Sequence, residues 1–317
     1  MSRRPSIIFM GTPDFAVASL EAIHQEGYDI KAVVTVPDRQ SGRGQKITFS
    51  PVKEYALQHD LPLLQPEKLR DEAFLEALRQ LDADLFVVVA FRMLPKVVWD
   101  MPKMGTFNLH ASLLPDYRGA APINWAVING ETESGVTTFM LNERIDEGGI
   151  LLQEKTPIAP DDNAGTLHDR LMGIGKGLVV KTIEGLAAGT LKPQPQPKVE
   201  NPKNAPKIFK DDCRIDWHKS GTEIVNFVRG MSPYPAAFME LKYPDGEVLP
   251  FKIFNVTFEK GTSNADFAII TDQKKYLKIA INGGFIVINA LQMGGKRRNS
   301  AENFLIGNNV INCKLVI

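Results

Sequence analysis

The chain has 317 residues, 44% of them hydrophobic and 23% charged, which is the composition of an ordinary soluble protein with room for two domains. No apolar run approaches the ~20 residues of a membrane span, and the opening MSRRPSIIFMG lacks the apolar segment and cleavage site of a signal peptide. Two cysteines, Cys213 and Cys313, exclude a disulfide framework and a CxxC metal site, so a cytoplasmic location and a metal-free site are expected.

In chain order, Ile7–Gly11 reads as a buried strand. Thr12 has the character of an N-cap, with Pro13 at the first helical position, and the helix stops at Gly27. Ile30–Val36 is a second strand, followed by a polar loop over Thr35–Lys46. Helices are expected over Pro51–His59 and Asp71–Leu81, then the strand Asp84–Phe91. Gly105–His110, Val136–Asn142 and Ile150–Ile158 are further strands. Thr166 to Asp169 has capping-box spacing and opens a helix running to about Leu186. Strands alternating with helices predict a doubly wound, mostly parallel α/β sheet.

Leu191–Lys198, LKPQPQPK, reads as an extended polyproline spacer. The expected organisation is a first domain over 1–190, a linker over 191–205 and a second domain over 206–317. In the last part a helix begins near Ser220 and is stopped by Pro233 and Pro235. Short strands separated by turn residues follow, as in a small closed β-barrel. The zero net charge hides an asymmetry. From Leu191 onward there are 18 Lys/Arg against 12 Asp/Glu, as for a polyanion-binding module, although chance gives such a difference too.

GTPDF after the first strand is neither GxGxxG nor a P-loop. Asn108 and His110 stand at i and i+2 and therefore share one face at the C-terminal end of a strand, where open α/β sheets bind ligands. By spacing alone this is either a donor pair or a satisfied buried histidine beside a capping asparagine. Asp146, in IDEGG, is suited to orient or charge a histidine. Arg39, Arg43 and Lys46 lie in the 35–46 loop, either as a solvated coil or as a basic finger for phosphates. His24, His59, His168 and His218 have no metal-ligand spacing, and neither HExxH nor GxSxG occurs.

Together IIFMGTPDFA, GTFNLHASLLPDYRGAAPINWA, IDEGGILLQ, APKIFKDDCRIDW and VRGMSPYPAAF resemble the 10-formyltetrahydrofolate-dependent formyltransferases, along nearly the whole chain. Within them the likeness is to the branch acting on methionyl-tRNA, which is expected to formylate the initiator for translation. The resemblance implies a formyltransferase-like Rossmann-type domain and an OB-like C-terminal barrel that binds tRNA. It implies Asn108, His110 and Asp146 as the catalytic trio, and Ser112, Leu113, Leu114 and Pro115 with Phe91 and Met93 as folate contacts. It also makes the loop carrying Arg39, Arg43 and Lys46 similar to the insertion that engages the tRNA acceptor stem. Ala90-Phe-Arg-Met-Leu-Pro95 departs from the AYG-x-x-LP of many relatives and is closer to glycinamide ribonucleotide formyltransferases, so the pocket wall is altered there. The alternative is a formyltransferase for a small molecule such as an amino-sugar nucleotide. A monomer is the simplest expected state.

Overall fold

The computed structural model describes residues 4–41, 46–263 and 266–317. The chain forms two compact units that interleave along the sequence: residues 1–119, 134–156 and 168–204 in the first, and 120–133, 157–167 and 205–317 in the second.

In chain order the elements of the first part are β1 (Ile7–Gly11), α1 (Asp14–Gln25), β2 (Ile30–Val34), β3 (Arg39–Ser41), β4 (Lys46–Thr48), α2 (Pro51–Gln58), β5 (Leu63–Leu64) and α3 (Glu72–Leu81). β6 (Leu85–Val89), α4 (Lys96–Trp99), β7 (Thr106–His110), β8 (Arg118–Gly119), α5 (Pro122–Ile128), β9 (Glu133–Met140), β10 (Ile150–Pro157) and α6 (Ala164–Ala187) complete it. The main sheet has the order β10-β9-β7-β6-β1-β2-β5. β1 pairs parallel with both β2 and β6, and β6 with β7, while β9 runs antiparallel to β7. The chain moves to one side of β1 through β2 and to the other through β6. That reversal opens a crevice at the carboxyl ends of β1, β6 and β7. β1 and β6 are buried throughout, which is why they read as continuous apolar runs rather than as alternating ones.

Local chemistry moves several expected boundaries. α1 is capped at Pro13, one residue beyond Thr12, and no side chain caps it. α6 begins before Thr166, because Asn163 Oδ1 accepts from the N–H groups of Gly165 (2.8 Å) and Thr166 (3.0 Å). The expected 35–46 loop carries strand pairing: β3 and β4 form an antiparallel ribbon in the register Arg39↔Thr48, Gln40↔Ile47, Ser41↔Lys46. The base of this ribbon is fastened by Asp38, whose carboxylate takes both oxygens to Lys53 Nζ (2.8 and 2.6 Å) and one to Gln65 (2.9 Å). The proline-rich segment, expected as a spacer, is held on the sheet: Ile150 and Gln194 exchange N–H···O bonds of 2.7 and 2.8 Å.

In the second unit α5 packs on α7 (Gly221–Met231), and a Cβ at Gly230 would meet the Asn124 carbonyl at 2.9 Å. Glycine there lets the two helices approach closely. Arg229 holds the 157–167 segment through the carbonyls of Asp162 (2.7 Å) and Ala159 (3.1 Å). α7 starts with a full capping box between Ser220 and Glu223, whose carboxyl the two bonds hold below its ordinary value. β11 (Asn204–Ala205) precedes it, and β12 (Ala237–Lys242), β13 (Val248–Lys260), β14 (Ile269–Thr271), β15 (Leu277–Ile281), β16 (Gly284–Met293), β17 (Asn299–Ser300), α8 (Ala301–Gly307) and β18 (Lys314–Val316) follow. Their order β14-β15-β16-β13-β12-β18 makes a nearly closed, barrel-shaped antiparallel sheet. It is filled by Ile253, Val256, Ile279, Ile286, Leu291 and Phe304. Cys213 and Cys313 are free and buried here, and burial pushes both thiols up. Among the described residues no helix is long and apolar enough to cross a membrane.

Candidate active site

β7 sets the geometry of the site. Phe107 and Leu109 are buried on one side of the strand, and a Cβ on Gly175 of α6 would lie 2.8 Å from Leu109 Cδ2. The other side presents Asn108 and His110, as the i, i+2 spacing predicts. The Asn108 side chain is half-buried and makes no hydrogen bond among the described residues, so its amide is free for a ligand. His110 is 7% exposed, and its Nε2 lies 2.8 Å from the Tyr117 carbonyl. A carbonyl only accepts, so Nε2 carries the proton and Nδ1 is the nitrogen left to act.

Nδ1 faces Asp146 Oδ2 at 4.0 Å, both groups being largely shielded from water. That distance is too long for a direct hydrogen bond and short enough for strong attraction if the ring is charged. The same Oδ2 oxygen accepts from the Gly119 N–H at 3.0 Å, which fixes the carboxylate. The register Phe107↔Met140 means that the 141–149 connection leaves the sheet beside the start of β7. It must fold back along the strand to bring Asp146 to His110. Asp146 itself turns the chain with φ of 53°, a left-handed conformation that an aspartate tolerates better than most residues.

The loop after β7 is held chiefly through its backbone. Thr137 Oγ1 donates to the Ser112 carbonyl (2.6 Å) and accepts from Leu114 N (3.2 Å), and Gln153 Nε2 donates to the Leu114 carbonyl (2.9 Å). Ser112 is fully buried and spends its hydroxyl on the Asp116 carbonyl (2.7 Å). Leu114 is buried, while Leu113 and Pro115 keep part of their surface. The parallel pairing of β6 with β7 puts 90–95 at the same sheet edge. There Phe91 packs into the core beneath, Arg92 stacks over its ring at 5.4 Å, and Met93 is 76% exposed. Arg92 is tied to the carbonyls of Pro66 (2.7 Å) and Glu67 (2.9 Å), and burial, then the charge of Arg39, pulls its guanidinium below its ordinary value.

Of the expected RNA-contacting residues, Arg39 is exposed on β3, Lys46 has its backbone in β4, and Arg43 lies outside the described residues. Thr137, Gln153, Arg118 and Gln196 were not singled out by the sequence. Arg118 and Gln196 were signalled only by their place, beside the tyrosine of the loop and between two prolines. Among the described residues no group of His, Cys, Asp and Glu is arranged to hold a metal ion.

The family profile described as formyl transferase matches residues 4–183, and that described as formyl transferase, C-terminal domain, matches 207–309. The chain belongs to the formyltransferase family. This formyltransferase is 52% identical over 305 residues to the methionyl-tRNA formyltransferase of Bacteroides fragilis, covering 95% of this chain and 94% of that one. It is 51% identical over 301 residues to that of Flavobacterium johnsoniae, with 95% of each chain covered. Among solved structures, a sugar 3N-formyl transferase, WlaRD, crystallised with dTDP and 5-N-formyl-THF, shares the fold with a TM-score of 0.63 at 22% identity, over 93% of this chain and 100% of that one. HypX from Aquifex aeolicus in complex with tetrahydrofolic acid shares it with a TM-score of 0.62 at 18% identity, over 96% of this chain and 47% of that one.

Proposed function

We propose that this formyltransferase moves the formyl group of 10-formyltetrahydrofolate to the α-amino group of the methionyl moiety of initiator methionyl-tRNA. The observation that carries this reading is the free Asn108 amide on the same strand face as His110, with Asp146 opposite Nδ1, in a chain that matches a methionyl-tRNA formyltransferase over 95% of its length. In the transfer the amine nitrogen bonds to the formyl carbon, the carbon–N10 bond breaks, the amine loses a proton and N10 gains one. Negative charge develops on the formyl oxygen. The Asn108 amide and a protonated Nδ1 of His110 donate to that oxygen, each such donor typically contributing roughly 3–4 kcal/mol. Asp146, facing Nδ1 at 4.0 Å, orients the ring and passes the amine proton onward, directly or through water. The half-buried Phe91 and Leu113, with Leu114, Pro115 and exposed Met93, offer the apolar wall that a folate ring needs, and Ser112 shapes it from below.

The tRNA reading is supported by the second unit. Phe209 and Tyr234 are exposed aromatics, with Lys207 placed over the Phe209 ring at 5.2 Å. Arg298 lies over Phe254 at 4.3 Å. Cations beside aromatic faces suit single-stranded RNA, and the basic excess of this part suits phosphates. Arg39 and the β3–β4 ribbon, with Arg43 and Lys46, would add contacts to the acceptor stem. The reaction takes place in the cytoplasm with the protein as a monomer. Incubated with 10-formyltetrahydrofolate, the purified protein is expected to formylate methionyl-tRNA and not an amino-sugar nucleotide. Formylation of the sugar nucleotide alone, or of neither, overturns the assignment.

A further inference from the structure

Gln196 stands between Pro195 and Pro197 and uses its whole side-chain amide. Its Nε2 donates to the carbonyls of Asp146 (2.7 Å) and Gly148 (2.9 Å). Its Oε1 accepts from Arg118, at 2.6 Å from one terminal nitrogen and 3.2 Å from Nε. Arg118 in turn pairs with Glu147 at 3.1 Å. Both N–H groups and the carbonyl oxygen of one amide are therefore engaged, by Asp146 itself, by Gly148 two residues on and by Arg118. Two of the three are the backbone on either side of Glu147, and the third adjoins Gly119, whose N–H holds the Asp146 carboxylate.

We infer that Gln196 is a positioning residue of the transfer reaction, a latch that sets the Asp146 carboxylate opposite His110. The inference rests on the reading of Asp146 as a member of the catalytic trio. The chemistry requires glutamine. Glutamate has no N–H for the two carbonyls, asparagine is one methylene shorter, and lysine offers Arg118 no acceptor. The geometry requires a latch because the 141–149 connection folds back from the far end of β7. The backbone of that connection is bonded to the main sheet at its two ends, through Leu141 N–H to the Thr106 carbonyl and Met140 N–H to the Gly149 carbonyl. A displacement of about 1 Å at a reacting group can cost roughly a hundredfold in rate.

The test is a double-mutant cycle on the full chain, with kcat and KM for both substrates measured for Gln196→Ala, Asp146→Ala and the pair. Gln196→Glu, nearly the same shape without the donors, serves if the alanine variant folds poorly. Gln196→Ala and Gln196→Glu are expected to lower kcat by about tenfold or more, with both KM values little changed. In the Asp146→Ala background the same change is expected to add less than about twofold, because residues acting through one group are not additive. A fully active Gln196 variant, or a loss that adds in full to that of Asp146→Ala, overturns the latch while leaving the trio standing. Wild-type kcat in Asp146→Ala overturns the trio, and the latch with it.

Discussion

Thr137→Val removes one hydroxyl at nearly constant volume, and its cost can be worked from the structure. The hydroxyl is fully buried and serves the Ser112 carbonyl, the Leu114 N–H and Gln153. Ser112 and Leu114 are buried too, at 0% and 3% exposure, so water does not reach the two backbone groups when the hydroxyl goes. Gln153 is exposed and finds water instead. Leaving a buried donor or acceptor unpaired costs about 1–3 kcal/mol. Two such groups give about 3 kcal/mol, or about 6–12 °C in the melting of a domain of this size. Calorimetry of the variant checks the stability. Initial rates against 10-formyltetrahydrofolate check the function, because the 112–115 loop is the proposed folate wall. KM for the formyl donor is expected to rise with kcat nearly unchanged, the mark of lost ground-state binding. Thr137→Ser keeps the hydroxyl and loses a methyl group, about 1 kcal/mol. It should retain the wild-type KM. If Thr137→Val melts with the wild type and keeps its KM, the hydroxyl is not the tether of the 112–115 loop.

Asn108→Ala should lower kcat by about 10²–10³-fold at unchanged thermal stability, since its amide is engaged by nothing among the described residues; steady-state kinetics with a melting curve checks both. KM for tRNA should climb steeply between low and moderate salt while KM for the folate stays flat, and equal responses would remove the phosphate contacts from the proposal. The Lys53 bonds hold the Asp38 carboxyl below its ordinary 3.8. A carboxylate depressed in this way stabilises the fold above its unfolded value and loses that contribution as the pH falls through the folded one. Asp38→Asn should therefore melt below the wild type at neutral pH, with the gap closing below pH 3.8. A gap independent of pH would mean that the charge is not what matters.

How much of this was legible in the sequence depended on range. The side-by-side placement of Asn108 and His110 follows from strand parity alone, a local property. The buried strands β1 and β6 follow from uninterrupted apolar runs. The tautomer of His110 does not, because it is set by a carbonyl seven residues on, across a turn. Thr137 and Gln153 look like ordinary polar strand residues, and only the β7–β9 register reveals what they hold. Gln196 was hidden by its context: alternating proline gives the same extended backbone to a free spacer and to a strap lying on a sheet. At Thr166 the capping chemistry was right and the position wrong, since Asn163 takes the role, whereas α1 has Pro13 at its N-cap and no side-chain cap at all.

The strap has a consequence for solubility. β10 is the last strand of its sheet, and an open edge of this kind invites another chain to add on. Gln194 turns both its N–H and its carbonyl toward Ile150, so by strand alternation its neighbours Pro193 and Pro195 turn their carbonyls outward. Proline has no N–H. The outward side of the strap thus shows acceptors without donors, and a strand arriving there finds half of its ladder missing. Gly149 is part of the same arrangement, since a Cβ there would stand 2.8 Å from the Pro193 ring and lift the strap away. Alternating proline in this chain closes the edge of the sheet at Ile150 in a form that offers an arriving strand no donors.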